Sequence, residues 1–353
     1  MGTLQLVTVL WAQALLPASW ASTFDRTFAG VLNCEVSATR PFLNFGFRYQ
    51  AGYFFSTSLS QFFGPGHRLT VVARVTPRQG DAVYLGQGLD LPPVPKTKQV
   101  LEMGGGFLVG EGEYRVDWLL FDDQDRACRK SWKTKVARAG ADKKVPLAIA
   151  PDTVAEFSLA GLAPRQNEPN AGGPLTVLLN AAPLSPRRTR LRSSDGMLLV
   201  GALSSLLERL GARPVRLIVF NLDKRQELYR RDGFRSVRLG EVAEAFNQLE
   251  LGLVDYEVLK SPKGHVDFLA DLLNRESNTE TVVLLGPTTR YFERMPSGKL
   301  EKGSGRIFNL QLLPFFRGGM PFPDIFDSAA RRRKGKSKLI RTPADFAKAI
   351  EAI

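Results

Sequence analysis

The segment Val282-Val283-Leu284-Leu285 is an unbroken apolar run of strand length, and Gly286-Pro287 ends it at once. A strand without polar alternation is typical of a parallel sheet that is buried on both faces. The second half of the chain is therefore predicted to fold around a mostly parallel sheet. Its other predicted strands occupy residues 175–179, 215–220, 307–315 and 338–341, with an edge strand at 226–234.

Helical spacing of apolar residues lies between these strands, with a short extended piece predicted at 256–259. The closing helix begins at Thr342-Pro343-Ala344-Asp345, which supplies an N-cap, a proline at the first helical position and an acid in the first turn. Strands that alternate with helices predict a doubly wound, mostly parallel α/β sheet over residues 174–353.

Residues 40–137, within a predicted domain of residues 22–145, show the period-two alternation of short strands, for example at Tyr114, Val116, Trp118 and Leu120. The acidic stretch 122–125 is predicted to be a hairpin loop before a returning strand. Gly110 to Val116 resembles the entry to a late strand of immunoglobulin-like domains, so an antiparallel immunoglobulin-like β-sandwich is predicted here. Residues 146–173 are predicted to form a linker. The predicted fold class is thus α/β plus all-β.

The first 21 residues contain no charged side chain and include an apolar stretch from Leu4 to Leu16. Ser19-Trp20-Ala21 offers small residues where a signal peptidase reads, so residues 1–21 are predicted to be a signal peptide. The alternatives are an ordinary buried segment and a wrongly assigned start position. The stretch is too short for a membrane-spanning helix, and no transmembrane segment is predicted. The predicted location is secreted or periplasmic.

The chain has two cysteines, Cys34 and Cys128, and no CxxC motif. This spacing argues against a zinc ribbon and against thioredoxin-like redox chemistry. In an exported protein the two residues could form one disulfide, and two buried free thiols are the alternative.

The order and spacing of the predicted strands and helices in the second half, with several short sequence segments, resemble a von Willebrand factor type A domain. These segments are Val219-Phe220-Asn221, the apolar run at 282–285, and Lys334-Gly335-Lys336 through Ala347. Domains of that family usually bind a divalent cation at the carboxyl end of the sheet. The resemblance places the cation-binding positions on residues that offer few oxygen ligands: Asn180, Ala182, Leu184, His265, Gly286 and Pro287. The resemblance therefore implies a vacated metal site, with no metal and no cofactor.

The chain of 353 residues has a formal net charge of +13, which favours acidic partners. Six cations occur within eight residues and could form an anion patch, although an exposed helix end also explains them. They are Arg331, Arg332, Arg333, Lys334, Lys336 and Lys338. An acidic polymer or an envelope surface is thus one predicted partner.

No phosphate-binding glycine motif follows a predicted strand, so no nucleotide partner is predicted. The favoured function is an exported, non-catalytic module that binds a protein partner, as an adhesion domain does. One alternative is an anion-binding protein that uses the 331–338 cluster. The other is an enzyme with an unfamiliar site near His265, Asp267 and Asn180.

Overall fold

The computed structural model describes most of the chain, in two compact units, Met1–Gly161 and Leu162–Ile353. The described residues are 10–157, 174–185, 188, 191–210, 214–234, 239–247, 249, 256–261, 263–276, 278–301, 303, 305–314 and 323–353. Parts of the predicted signal peptide (1–9) and of the predicted linker (158–173) lie outside them. Within the described residues, no helix has the length and apolarity that crossing a membrane requires.

The first unit is built from two sheets and one short helix. In chain order its elements are β1 (Leu10–Ala12), β2 (Ala14–Leu16), α1 (Ala21–Asp25), β3 (Gly30–Val31), β4 (Cys34–Leu43), β5 (Tyr49–Ser58), β6 (His67–Pro77), β7 (Val83–Leu91), β8 (Val100–Val109), β9 (Gly112–Asp122), β10 (Arg126–Val136) and β11 (Val154–Glu156).

The first sheet has the order β1-β8-β5-β4, with β11 also paired to β8, and the second has the order β2-β7-β6-β9-β10-β3. Pairing is antiparallel except between β1 and β8 and between β3 and β10. Alternate residues of β5 and β9 are buried between the sheets, as period-two alternation requires. Tyr53 is fully buried there, and its ring lies 5.5 Å from that of Trp118 and 6.3 Å from that of Trp132.

A disulfide joins Cys34 on β4 to Cys128 on β10, with the two Cα atoms 6.2 Å apart. It connects an outer strand of the first sheet to a strand near the edge of the second. The sequence left open whether the two cysteines form a disulfide or remain free thiols, and in the structure they form a disulfide.

The segment that was predicted to be a signal peptide contributes β1 to one sheet and β2 to the other. Between these strands Gln13 is buried, and its Nε2 donates a hydrogen bond of 2.5 Å to the Tyr53 hydroxyl. Farther along, Phe24 packs with Val72, Tyr84 and Leu119 on the outer face of the second sheet. The structure thus includes residues 10–20 in the sandwich, whereas removal of a leader is a matter of processing and stays a prediction.

The second unit contains one sheet and several helices. Its elements are β12 (Leu175–Asn180), α2 (Ser193–Arg209), β13 (Val215–Asn221), β14 (Gln226–Phe234), α3 (Leu239–Asn247), α4 (Tyr256–Lys260), α5 (Gly264–Arg275), β15 (Thr281–Pro287), β16 (Arg306–Leu312), α6 (Ile325–Arg332), β17 (Lys336–Ile340) and α7 (Pro343–Ile350).

The sheet of the second unit has the order β14-β13-β12-β15-β16-β17, and only β14 pairs antiparallel. Leu178, Phe220 and Leu284 pack against α5 and α6 in one buried cluster. The intervening residues of β12, Val177 and Leu179, point to the opposite face and are also fully buried. The sheet is therefore covered on both faces, which explains the uninterrupted apolar runs of its strands.

The fold class predicted from the sequence is wrong. That prediction gave half of the chain to a doubly wound α/β sheet of the type A kind, whereas strands account for 42% and helices for 25%, in three sheets. The chain is therefore mostly β. Part of the difference arises at 10–16 and 154–156, which were assigned to the leader and the linker but form β1, β2 and β11. The helices α3, α4, α6 and α7 are also short, from five to nine residues each.

Replacing both Cys34 and Cys128 with alanine should lower the free energy of unfolding by about 2–5 kcal/mol. The reason is that the cross-link spans a sequence separation of 94 and restricts the unfolded chain. Urea unfolding with and without reductant measures the effect. Reductant should destabilise the native protein and leave the double variant unchanged. Equal stability of the oxidised native protein and the variant would contradict the prediction.

Candidate functional site

The carboxyl ends of the parallel strands in the second unit form one edge of its sheet. We call this edge the crest; it comprises residues 180–184, 221–225, 264–265 and 286–293. Ligand sites of open α/β sheets lie at such edges because loops of several strands converge there. The positions that the sequence singled out as vacated, from Asn180 to Pro287, all belong to the crest.

Gly286 lies in close contact with the neighbouring strand β12. A Cβ atom at Gly286 would lie 2.9 Å from the Cβ of Asn180 and 3.0 Å from its carbonyl oxygen. Contacts this short are steric overlaps. The strands that carry Gly286 and Asn180 are packed together and cannot move apart to relieve them. A carboxylate side chain therefore does not fit at this position.

The amides of Asn180 and Asn221 hold the loops of the crest together. The Asn180 side-chain oxygen accepts a hydrogen bond of 3.3 Å from the backbone N–H of Leu222. Asn221 donates to the Ala181 carbonyl at 2.6 Å and accepts from the N–H of Lys224 at 2.8 Å. The Asn180 oxygen, at one of the positions where the resemblance places a cation ligand, is thus engaged by the protein itself.

His265 is the second residue of α5, and its side chain is buried. Its Nε2 lies 2.9 Å from a carboxylate oxygen of Glu293, and its ring stacks on Tyr291 with centroids 3.9 Å apart and planes 16° apart. Burial and the nearby Asp223 carboxylate raise the pKa of Tyr291. The histidine therefore fixes the loop that carries Tyr291 and Glu293.

The side chains of His265, Asp267 and Asn180 contact different partners. Asp267 points to solvent on α5, where its carboxylate pairs with the Lys299 ammonium at 2.6 Å, and this partner lowers the pKa of Asp267. Asn180 binds Leu222, and His265 binds Glu293. Each of the three side chains thus has a different partner.

A cavity of about 20 Å³ remains at the crest, with Asn180, Pro183, Asp223 and Tyr291 among its lining residues. It has room for about one water molecule. Small-molecule sites usually have volumes of roughly 300–1,000 Å³. Arg290 closes one side, because its Nε donates to Asp223 at 3.1 Å.

The segment 288–296, which we call the anchor loop, is attached to α6 and α5 at several points. The backbone N–H of Thr289 donates to the carboxylate of Asp324, which directly precedes α6. The backbone carbonyl of Tyr291 accepts a hydrogen bond of 2.9 Å from the N–H of Ile325. Farther along the loop, the Met295 N–H donates to the Ser328 hydroxyl at 2.8 Å. Between these attachments the side chain of Phe292 is 59% exposed. The loop therefore presents one aromatic ring on a held backbone.

Asp324 is the N-cap of α6 and is buried, with 1% exposure. Its carboxylate accepts hydrogen bonds from the backbone N–H groups of Phe326, Asp327 and Thr289. Burial raises the pKa of Asp324 to about 6, against the lowering effect of the N–H donors. Both the helix and the anchor loop depend on this one carboxyl group.

The six cations at 331–338 differ in their surroundings. Arg333 is buried and donates to the Glu301 carbonyl, and Arg332 donates to the Met295 carbonyl. Five of the six side chains are exposed, two of them on the edge strand β17: Arg331, Arg332, Lys334, Lys336 and Lys338. The helix-end explanation accounts for the arginines in the last turn of α6.

No family model matches the chain, and no curated protein matches it. Among solved structures, it is similar to a Bordetella pertussis protein provisionally named ApaA, at 12% identity and a TM-score of 0.22; the match covers 31% of this chain and 98% of that one. It is also similar to a β-glucuronidase of Bacteroides uniformis, at 7% identity and a TM-score of 0.22, covering 90% of this chain and 30% of that one.

A third similar structure is a glycosyl hydrolase family 2 member from Bacteroides cellulosilyticus, at 9% identity and a TM-score of 0.21; the match covers 88% of this chain and 38% of that one. The chain therefore spans under two fifths of the length of either glycosidase. Such TM-scores do not indicate a common fold, and the matches assign no function to the chain.

The substitution Gly286→Ala should lower the free energy of unfolding by about 1–3 kcal/mol, because the added methyl group overpacks the contact with Asn180. Urea unfolding measures the loss. Gly298→Ala is the matched control, since a Cβ atom at Gly298 meets nothing within 4 Å. The control should change stability by less than about 0.5 kcal/mol. Equal effects of the two substitutions would refute the close-contact argument.

Asp324 should make stability depend on pH. Its folded-state pKa of about 6 lies above the ordinary value for an aspartate, so the folded state holds more protons than the unfolded state between those values. The free energy of unfolding therefore falls as pH rises through that window. Relative to Asp324→Asn, which cannot ionise, the native protein should lose about 2 kcal/mol between pH 4.5 and 7.

Urea unfolding of both proteins across this pH range measures the difference, and the pH-independent cost of the substitution cancels in it. A stability difference that stays constant with pH would show that Asp324 titrates alike in both states.

Proposed function

We propose that this protein is a non-catalytic module that binds a protein partner at the crest, in an oxidising compartment outside the cytoplasm. One observation carries the proposal: Asn180, Asp223 and His265 each bond to another residue of the crest, and Phe292 beside them is 59% exposed. The crest thus offers a partner an apolar contact on a rigid framework.

The engagement of the polar groups favours binding over catalysis. A general base must reach the proton that it removes, and a nucleophile must reach the substrate. Here His265 lies under Tyr291 and faces Glu293, while Asp223 faces Arg290. A reacting molecule would first have to break these contacts.

The held backbone of the anchor loop favours protein binding. Exposed aromatic side chains are enriched at the centres of protein interfaces, where they fill pockets of the partner. A loop that is already fixed loses little conformational entropy on binding. Phe292 lies between the attachments at Tyr291 and Met295, so it meets both requirements.

The disulfide between Cys34 and Cys128 supports the extracytoplasmic part of the proposal. Disulfides persist in oxidising compartments and are rare where glutathione keeps thiols reduced. Secretion or a periplasmic location also agrees with the predicted leader. Thiol labelling of protein from its native source, with and without reductant, tests the compartment.

The substitution Phe292→Ala should weaken capture of the partner from the native envelope fraction by about tenfold or more, because loss of a central aromatic contact costs about 2 kcal/mol. The full-length chain serves as bait, and the captured protein is quantified by mass spectrometry. Phe54→Ala is the matched control, since Phe54 on β5 is 46% exposed and belongs to the other unit. It should leave capture unchanged.

A chelator should not reduce capture in the same assay, because contact through Phe292 needs no cation. Chelator-sensitive capture, or equal capture by both variants, would reject binding at the crest.

A further inference from the structure

Strand β10 has one side that is largely open. On its other side β9 pairs with it from Ala127 to Val136. On the open side, β3 pairs only with Arg126 and Ala127. In the described part of the chain, no strand pairs with β10 on that side beyond Ala127.

The open side of β10 presents a regular series of backbone groups. The carbonyls of Asp125 and Ala127 accept hydrogen bonds from Gly30 and Leu32, so the backbone groups of these odd-numbered residues face the β3 side. In an antiparallel strand this direction repeats at every second residue. By this alternation, the N–H and C=O groups that face the open side beyond Ala127 belong to Arg129, Ser131, Lys133 and Lys135.

The side chains of β10 give this edge a strong positive charge. The strand sequence RACRKSWKTKV holds five cations and no acid. Lys133 lies directly opposite Arg115 of β9, so two like charges are neighbours across the ladder. Arg115 also pairs with Asp117 at 3.1 Å, and Lys135 pairs with Glu113 of β9 at 3.1 Å, so carboxylates of β9 offset part of this charge. Arg129 donates to the carbonyls of Phe24 and Arg26, which do not neutralise its charge.

The two faces of β10 differ in character. Side chains alternate between the faces, so Arg129, Lys133 and Lys135 lie on one face and Trp132 lies on the other. Trp132 is half-buried, and its ring packs near Tyr53 at 6.3 Å. A strand added to this edge would meet Arg129, Lys133 and Lys135 on one face, and Trp132 together with Lys130 on the other.

We propose that β10 binds an extended acidic segment of a protein partner by strand addition. Carboxylates at alternate positions of that segment lie opposite Arg129, Lys133 and Lys135, and its apolar residues face Trp132. Backbone hydrogen bonds to the open side of β10 supply affinity, and the charges select the segment. The inference rests on the proposed function only in taking the partner to be a protein.

Lysines on an edge strand also prevent pairing between copies of the same chain, because like charges repel. This protective role and the proposed role are compatible. The positive charges that repel the β10 strand of a second copy attract an acidic strand. The open edge therefore accepts acidic strands and rejects basic ones.

The test uses a fluorescent synthetic peptide in which Glu and Val alternate, titrated with the full-length chain and followed by anisotropy. The double substitution Lys133→Glu with Lys135→Glu should weaken binding by about tenfold or more. Lys143→Glu with Lys144→Glu is the matched control, with the same change in net charge at a site outside β10. It should leave the affinity unchanged. No binding to the native chain, or equal losses in both double variants, overturns the proposal.

A second pair of variants separates strand pairing from charge alone. Lys133→Gln and Lys133→Pro remove the same charge, but only proline also removes an N–H on the open side. Proline is tolerated on an edge strand when its missing donor faces solvent. The proline variant should bind the peptide at least about fivefold more weakly than the glutamine variant, with unchanged urea unfolding confirming that both fold.

Equal affinities of the two variants would mean that β10 attracts polyanions without pairing, and this overturns the proposal. The outcome is independent of the capture assay. Capture that depends on Phe292 together with a peptide that does not bind retains the proposed function and rejects strand addition alone.

Discussion

The close contact between β12 and β15 at Asn180 and Gly286 governs the crest. The two strands approach so closely that a Cβ atom at Gly286 would lie 2.9 Å from that of Asn180, and the Asn180 amide bonds to the loop after β13. Buried polar groups must find partners, and here they find them within the protein. Asn221, Asp223 and His265 are engaged in the same way. At the edge where parallel sheets commonly bind ligands, these polar side chains therefore bond within the protein.

Features that depend on local periodicity could be predicted from the sequence. The apolar runs predicted at 175–179 and 215–220 end within one residue of β12 and β13. The cap of α7 is as its sequence indicates, with Thr342 accepting from the Asp345 N–H. In each case the physical cause lies within a few neighbouring residues. The predicted extended piece at 256–259 is wrong, because α4 occupies it; four residues are too few to distinguish the two periods.

Features that depend on distant contacts could not be predicted. Glu293 meets His265 across 28 residues, and neither residue belongs to a repeating pattern. The N-cap spacing of Asp324 and Asp327 could have indicated a helix start, but not the bond to Thr289. The error in fold class has a similar origin. An apolar run that ends in small residues is shared by leaders and by edge strands, and composition alone cannot separate them.

The position of the disulfide has a mechanical consequence. If tension reaches this unit through its flanking segments, force passes from Cys34 to Cys128 through the covalent bridge. The enclosed strands β4 to β9 then carry no load along the chain, and a sequence separation of 94 is protected from extension. At full stretch this would otherwise release about 30 nm of chain. Under tension the bridged segment would respond as a short, stiff link.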